Sequence, residues 1–220
     1  MGDPAWRERV RAGAAALEVE APAEALERMA RHAELLLEWN RKINLTRITD
    51  PGQMAIKHFA DSLAPAPLIP PDARVVDIGA GGGFPGIPLA AVLPAIRITL
   101  VDAVRKKVSF IQHVIRILGL DNADARHLRA EELAAERPGF SLAICRALSD
   151  LPEILRLARP LVRRGGRILA LKARISTEES EFLPTLEAQG ISVSVRRYAL
   201  PFLGDERTLI SLGLPESPPA

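Results

Sequence analysis

The chain has 220 residues, 48% of them apolar, enough for one domain with a substantial core. Its 29 basic and 27 acidic residues leave a net charge of +2, so the protein as a whole is no polycation. The lone Cys145 excludes a disulfide framework and a Cys-based zinc site, and no run of about 18 apolar residues occurs, so a reducing compartment, the cytoplasm, and no membrane span are expected.

The opening MGDPAWRERVRAG has charges but no apolar stretch behind them, which excludes a secretory signal. Residues 1–20 read as loosely helical or poorly ordered. Over 24–42 the apolar positions Leu26, Met29, Ala30, Ala33, Leu36 and Leu37 recur at helical spacing. Asp50-Pro51-Gly52 is a turn signal. A second helix is expected over 54–65, followed by a stiff linker containing Pro65, Pro67, Pro70 and Pro71.

From here strands and helices alternate. Strands are expected at 74–78, 96–102, weakly at 123–125, then at 141–146 and 167–172. Between them lie helices at 86–93, at 104–118 (stopped by Gly119), and at 152–164, capped by Ser149 or Asp150 and ended by Gly165-Gly166. Ser176 with Glu179 forms a capping box that opens another helix. Two β-like runs, 192–199 and 207–212, follow each other with no helix between them. The alternation implies a doubly wound α/β fold, and one of the last two strands must run antiparallel, because a parallel crossover needs a dozen or so residues. The tail 215–220 is expected to be disordered.

The first strand leads into VVDIGAGGGFPGIPLA, residues 75–90. A glycine-rich turn at a strand's carboxyl end lies at the usual ligand crevice of such sheets. Two cofactor patterns overlap in it. A dinucleotide would need N–H groups at a helix N-terminus for its pyrophosphate, but Pro85 and Pro88 remove two donors and Asp77 would repel phosphate. S-adenosylmethionine carries no phosphate, and its ammonium and sulfonium favour a nearby carboxylate. The Asp77-x-Gly79-x-Gly81-x-Gly83 reading therefore fits the chemistry better. Asp102, at the end of the second strand, accepts ribose hydroxyls in either case or caps the next helix.

Methyl transfer requires an acceptor held in line, about 3 Å from the methyl carbon. After the fourth strand the chain reads Cys145-Arg146-Ala147-Leu148-Ser149. It lacks the Asn/Asp-Pro-Pro-aromatic motif that holds exocyclic amines and the Pro-Cys nucleophile used on pyrimidine carbon 5, and Cys145 reads as core. A ring nitrogen such as guanine N7 needs only positioning and electrostatics, for which Arg146 is suited. His58, Asp61 and Ser62 carry the letters of a hydrolytic triad but are too close in sequence to build one. His58 and Asp61, three apart, share a helix face and either line the pocket or serve as solvated caps. The histidines give no metal pattern, and none is expected. The stretch 156–174 holds seven basic residues and no acid, a candidate phosphate-attracting patch or a solvated helix end.

Several linked motifs now resemble a known family: NRKINLT at 40–46, HFADSL at 58–63, DIGAGGGFPGIPLA, LVDAVRKKVSFI, the Arg129-Ala130-Glu131-Glu132 turn, CRAL, ALKA and DERTL. Over residues 24–212 the chain resembles the RsmG family, also called GidB, of bacterial 16S rRNA (guanine-N7)-methyltransferases. ALKA stands where the family usually has ALKG, and CRA where it has SRA. The resemblance implies a class I S-adenosylmethionine-dependent methyltransferase fold, a Rossmann-like seven-stranded sheet with its last strand antiparallel. It would comprise an N-terminal helical extension and linker over 1–70 and the methyltransferase domain over 71–214.

It also implies S-adenosyl-L-methionine as donor, S-adenosyl-L-homocysteine as product, and a guanine in the decoding-region loop of 16S rRNA, free or in the small subunit, as acceptor; a monomer is expected. By motif, Asp77, Gly79, Gly81, Phe84, Asp102, Ala103, Ala130, Glu131 and Arg146 would meet the cofactor. Arg146 would position the acceptor without a general base. His58, Asp61, Lys172, Arg174 and Arg207 would face the RNA, and Phe84, Phe202 or the plane of Arg146 would stack on a flipped guanine. A small-molecule methyltransferase, a non-catalytic RNA-binding module and a nicotinamide oxidoreductase are the alternatives.

Overall fold

The computed structural model describes residues 3–136 and 138–216. Its centre is a seven-stranded sheet of β1 (Arg74–Ile78), β2 (Arg97–Asp102), β3 (Ala123–His127), β4 (Phe140–Arg146), β5 (Val162–Lys172), β6 (Ser192–Ala199) and β7 (Glu206–Gly213), in the order β3-β2-β1-β4-β5-β7-β6. β1 to β5 are parallel, and β7 lies antiparallel between β5 and β6. The expected seven strands with an antiparallel last strand are present. The chain reverses its winding direction between β1 and β4, which places a crevice at their carboxyl ends.

The parallel strands are apolar on both faces because helices cover both. Val75, Ile98, Leu100, Leu142, Ile144, Leu169 and Leu171 face a core shared with α1 (Pro4–Ala15), α2 (Ala23–Ile43), α5 (Gly86–Val92) and α6 (Arg105–Leu118). Val76, Ile78, Ala143, Cys145, Ile168 and Ala170 face the other core, under α7 (Ala130–Ala135), α8 (Leu151–Ala158) and α9 (Thr177–Glu187). Cys145 is fully buried there and its thiol is pushed up by burial, an inert core position.

Four expectations need correction. Residues 1–20 include an ordered helix, α1, started by Asp3 and Pro4, whose Trp6, Val10 and Ala14 are buried at four-residue spacing. The helix after β4 stops at Ala158, and β5 already begins at Val162. Gly165-Gly166 therefore sits inside that strand, where register slips between Phe140↔Val162 and Leu142↔Arg167. A side chain at 166 would strike Val162 and the carbonyls of Arg163 and Ser141, so the pair forms a bulge and no helix stop. Third, the turn at 129–132 opens a short helix, α7, where Glu132 accepts the Arg129 N–H at 2.7 Å. Finally, of the tail expected to be disordered, residues 217–220 lie outside the described residues, while Pro215 accepts the Gly165 N–H at 3.3 Å.

The helix expected over 54–65 is also more elaborate. α3 (Pro51–Met54) runs into a π-helical turn (Ala55–Ala60) and then α4 (Asp61–Leu63). Phe59 of the π turn is fully buried, edge-on to Trp6 of α1 at 5.2 Å and to Phe84 at 5.2 Å. His32 of α2 completes this aromatic cluster, stacked on Phe84 at 4.8 Å. Its Nε2 bonds to the Gly82 carbonyl at 2.8 Å; since a carbonyl only accepts, the proton sits on Nε2. The buried Nδ1 has no partner among the described residues. Burial lowers the His32 pKa to about 4, against the pull of that carbonyl.

Between about pH 6.5 and 4 the unfolded chain thus protonates this imidazole and the folded chain does not, so stability falls as pH falls, by about 1.4 kcal/mol per unit at full effect. His32→Phe is expected to flatten the pH dependence of the urea unfolding free energy by nearly one proton in that window; an unchanged slope would refute the assignment.

Candidate functional site

The glycine loop after β1 explains its own alternation. Gly79, Gly81 and Gly83 adopt φ of 74°, 58° and 86°, a region side chains rarely enter, and the residues between them do not. A Cβ at Gly79 would come within 2.7 Å of the Leu148 side chain, and one at Gly83 within 2.7 Å of Ile87. Gly86 opens α5 against the strand: a Cβ there would lie 2.6 Å from Leu100 and 2.7 Å from Asp77.

The loop's N–H groups are turned inward. Gly79 and Ala80 donate to the Val101 carbonyl at 2.9 and 3.1 Å, Gly83 and Phe84 to the Ala80 carbonyl at 2.8 and 2.9 Å. Gly81 donates to Asp102 Oδ2 at 3.0 Å and Gly86 to Asp77 Oδ2 at 2.9 Å. A pyrophosphate cradle needs several free donors converging on the ligand. Here they hold the loop itself, and with Pro85 and Pro88 this argues against a dinucleotide more strongly than the prolines alone.

Beside the loop lies a cleft of about 410 Å³ at the carboxyl ends of β1, β2 and β4. Gly79, Asp102, Ala103, Ala130 and Glu131 of the expected cofactor set line it, with Leu128 and Leu148 as apolar walls and Lys107 on the rim. Asp102 Oδ1 accepts the Val104 N–H at 2.8 Å while Oδ2 accepts from Gly81. Each oxygen keeps a second lone pair, so two vicinal hydroxyls still find acceptors. The lining suits a ribose beside a flat apolar base, the shape of S-adenosylmethionine.

Gly81, Asp77, Phe84 and Arg146 are not on that lining. Gly81 shapes the loop. Asp77 is fully buried beneath it, and its Oδ1 has no partner among the described residues. Burial pushes its pKa up to about 7, against the Gly86 N–H and Arg146. This orphan acceptor under the loop suits a cationic ligand and no anionic one. Phe84 is 6% exposed, with its ring stacked on His32 and on His58 (4.7 Å), so its faces are already in use.

On the other side of the strand ends, Arg146 gathers the HFADSL segment. Its guanidinium donates to the Lys57 carbonyl at 3.2 Å, to Ser62 Oγ at 3.4 Å and to His58 Nδ1 at 3.5 Å. Asp61 Oδ2 lies 3.8 Å away and the Phe84 ring centroid 5.1 Å from its carbon. Residues 57, 58, 61 and 62 thus share the face of the π turn and α4 that meets β4. Burial pulls the Arg146 pKa down against Asp61 and Asp77, yet a guanidinium remains charged at neutral pH. An arginine can only donate, so His58 Nδ1 must be the acceptor and Nε2 carries the proton, given to Thr46 Oγ1 at 2.7 Å. Burial first and Arg146 second push His58 down to about 3. Ser62 donates to the His58 carbonyl, not to its ring, so there is no hydrolytic relay.

Asp61 is also held by Tyr198, whose hydroxyl donates to Oδ1 at 2.8 Å, and by Arg207 Nε at 3.5 Å from Oδ2. Tyr198 escaped the sequence reading; it lies on β6 opposite Arg207 on β7, a pairing visible only once the register is known. Arg174 is exposed and paired with Glu206 at 3.1 Å. Phe202 is 64% exposed at φ 65°, with the Arg9 guanidinium 5.5 Å from its ring.

Lys172 sits differently from the expectation that it faces RNA. Its ammonium donates to the Ser149 carbonyl at 2.8 Å, pairs with Glu179, and is 13% exposed. Glu179 also accepts the N–H of Leu151 at 2.8 Å and of Ser176 at 3.1 Å. One carboxylate thus serves the amino ends of α8 and α9 together. The arginines of the 156–174 stretch disperse: Arg156 pairs with Glu131 and Glu153 near the cleft, while Arg163, Arg164 and Arg167 lie toward the amino end of β5, away from it.

The family model for rRNA small subunit methyltransferase G matches residues 25–210. The ribosomal RNA small subunit methyltransferase G of Geobacter sulfurreducens is 44% identical over 205 residues, 91% of this chain and 94% of that protein. Among solved structures, a SAM-dependent methyltransferase from Aquifex aeolicus shares the fold with a TM-score of 0.55 at 18% identity, over 77% of this chain and 96% of that one. Fibrillarin from Aeropyrum pernix, solved with natively bound S-adenosyl-L-methionine, does so at 0.52 and 18% identity, over 64% and 66%. With that span of the chain matched and that identity carried over nearly its whole length, the chain belongs to the rRNA small subunit methyltransferase G family.

Proposed function

We propose that this protein transfers a methyl group from S-adenosylmethionine to N7 of a guanine in 16S rRNA, free or in the small subunit, as a cytoplasmic monomer. The observation that carries the reading is the pair of sites flanking the ends of β1 and β4: a cleft shaped for a ribose and base on one side, and a guanidinium held in a buried polar cage on the other. Family membership supplies the ribosomal RNA.

S-adenosylmethionine, when bound, supplies a methyl group activated on a sulfonium. Gly79, Ala103, Ala130 and Glu131 line its site on this reading, and Asp102 accepts the ribose hydroxyls through its remaining lone pairs. The loop glycines bring the backbone close, and a bound cation would favour the charged form of the buried Asp77 beneath it, whose pKa burial raises to about 7. Guanine N7 offers its lone pair without losing a proton, so no base is required. The site agrees with that: the free nitrogen of His58 is already an acceptor for Arg146, and Asp61 is ringed by Arg146, Arg207 and Tyr198. Arg146 orients the acceptor through O6 or its phosphate, since donation to N7 itself would block the lone pair. His58 and Asp61 hold Arg146 in place. Arg174, Arg207 and the exposed ring of Phe202 meet the RNA around the entrance.

The direct test incubates the protein with labelled S-adenosylmethionine and unmodified 16S rRNA or small subunits and maps the product. Label at a guanine N7 is expected; label absent from RNA would reject the reading, and cofactor binding without transfer would point to a binding module. Two variants examine the halves separately. Asp102→Ala removes charged acceptors whose hydrogen bonds contribute about 1.5–3 kcal/mol, so the Kd for S-adenosylhomocysteine should rise about ten- to a hundredfold by calorimetry. Arg146→Lys keeps the charge and loses the planar fork. Its kcat should fall by at least about tenfold with S-adenosylhomocysteine affinity retained; an unchanged kcat would remove Arg146 from the positioning role.

A further inference from the structure

A second pocket, of about 500 Å³, opens on the same rim of the sheet as the acceptor side. Arg174 and Ile175, just past β5, form one wall; residues 197–199 of β6 and 206–208 of β7 form the other. Register and alternation explain the arrangement. Arg197 pairs with Thr208 and Tyr198 with Arg207, so Arg197 and Thr208 share one face of the β6–β7 ribbon, Tyr198 and Arg207 the opposite one. On that opposite face Arg207 and Tyr198 hold Asp61, which holds Arg146. The rim thus carries arginines on both faces of one ribbon, Arg207 on the face of the acceptor cage and Arg197 on the other.

Nothing in the motifs singles out Arg197. It is exposed, and among the described residues no carboxylate pairs with it. Among the described residues Arg174 is paired only with Glu206, their side chains 80% and 70% exposed, a pair worth little in water and readily exchanged for another anion. Across the sheet, Lys172↔Thr208 and Thr208↔Arg197 extend the register row beside Arg146↔Leu171, so the Arg197 backbone stands about three strand spacings, roughly 14 Å, from that of Arg146, with the two side chains on opposite faces of the rim. A short stretch of single-stranded RNA spans that distance.

We propose that Arg197 and Arg174 form a phosphate subsite for the backbone of the RNA strand whose flipped base lies at Arg146. The inference rests on the rRNA reading above and adds the path by which the strand leaves the site, over the β6–β7 ribbon. Its chemistry is a point-charge contact with phosphodiester oxygens, independent of base identity.

The test measures binding of unmodified 16S rRNA transcript from 50 to 200 mM salt for the native protein, Arg197→Ala and Arg197→Lys, alongside S-adenosylhomocysteine binding and methyl transfer. One lost phosphate contact lowers the slope of log K against log salt by about 0.7, so the affinity lost over this range should shrink about threefold in Arg197→Ala. KM for RNA should rise while kcat and S-adenosylhomocysteine affinity stay native, and Arg197→Lys should restore the slope. Arg167→Ala, midway along β5 and away from the carboxyl rim, should leave the slope unchanged. Native methylation with identical slopes for native protein and Arg197→Ala would overturn this inference alone, as would Arg197→Lys failing alongside Arg197→Ala. Failure of the native protein to methylate the RNA would remove the rRNA reading and this inference with it.

Discussion

The site depends on where Arg146 sends its charge. A guanidinium at the end of a buried parallel strand must find acceptors, and the nearest ones belong to another layer: the Lys57 carbonyl, Ser62, His58 and Asp61. Meeting that demand fastens the π turn to the sheet and fixes the His58 tautomer. It also lays the cation over Phe84, in the loop that walls off the cofactor side. The π turn suits this use, since insertion of such a turn lets residues on either side of it converge on one partner. Helical layer, glycine loop and β4 are thereby referenced to one another through a single planar group.

A second constraint sets what binds across the loop. Backbone donors already bonded within the protein are not available to a ligand, and six of the loop's N–H groups are so engaged, two to the loop's own Ala80 carbonyl and four to β1 and β2. The resulting surface offers acceptors, Asp102 above all, and apolar walls. The loop backbone discriminates by what it lacks: its committed N–H groups give a diphosphate no donors, while Asp102 suits hydroxyls, and the cations that line the cleft, Lys107 and Arg129, are side chains beyond the loop.

Much of this was legible in the chain. Buried parallel strands are short apolar runs bounded by turn residues, which is why 74–78 and its neighbours were readable, and Asp-x-Gly-x-Gly-x-Gly announces three left-handed positions. The misreadings share a cause, the hidden partner. In α1, Arg7, Glu8, Arg9 and Arg11 conceal the Trp6, Val10, Ala14 stripe, although Asp3-Pro4 is a helix start. Gly165-Gly166 looks like a stop until β4 is laid beside it. Lys172 looks like an RNA contact until Glu179 arrives from the next helix. Tyr198 became a site residue only because Asp61, 137 positions away, folds against it.

The Glu179 carboxylate bears on how freely the parts of this fold can be exchanged. It sits at the amino ends of two helices and binds the lysine that ends β5, while that lysine grips the Ser149 carbonyl in the loop after β4. Ala147 and Leu148 of the same loop wall the cleft beside the glycine loop. The far side of the cleft is therefore shaped by a side chain from α9, an element with no residue in its lining. A chimera that grafts a foreign α9 onto this sheet keeps these ties to the loop after β4 only if an acid comes with it at position 179.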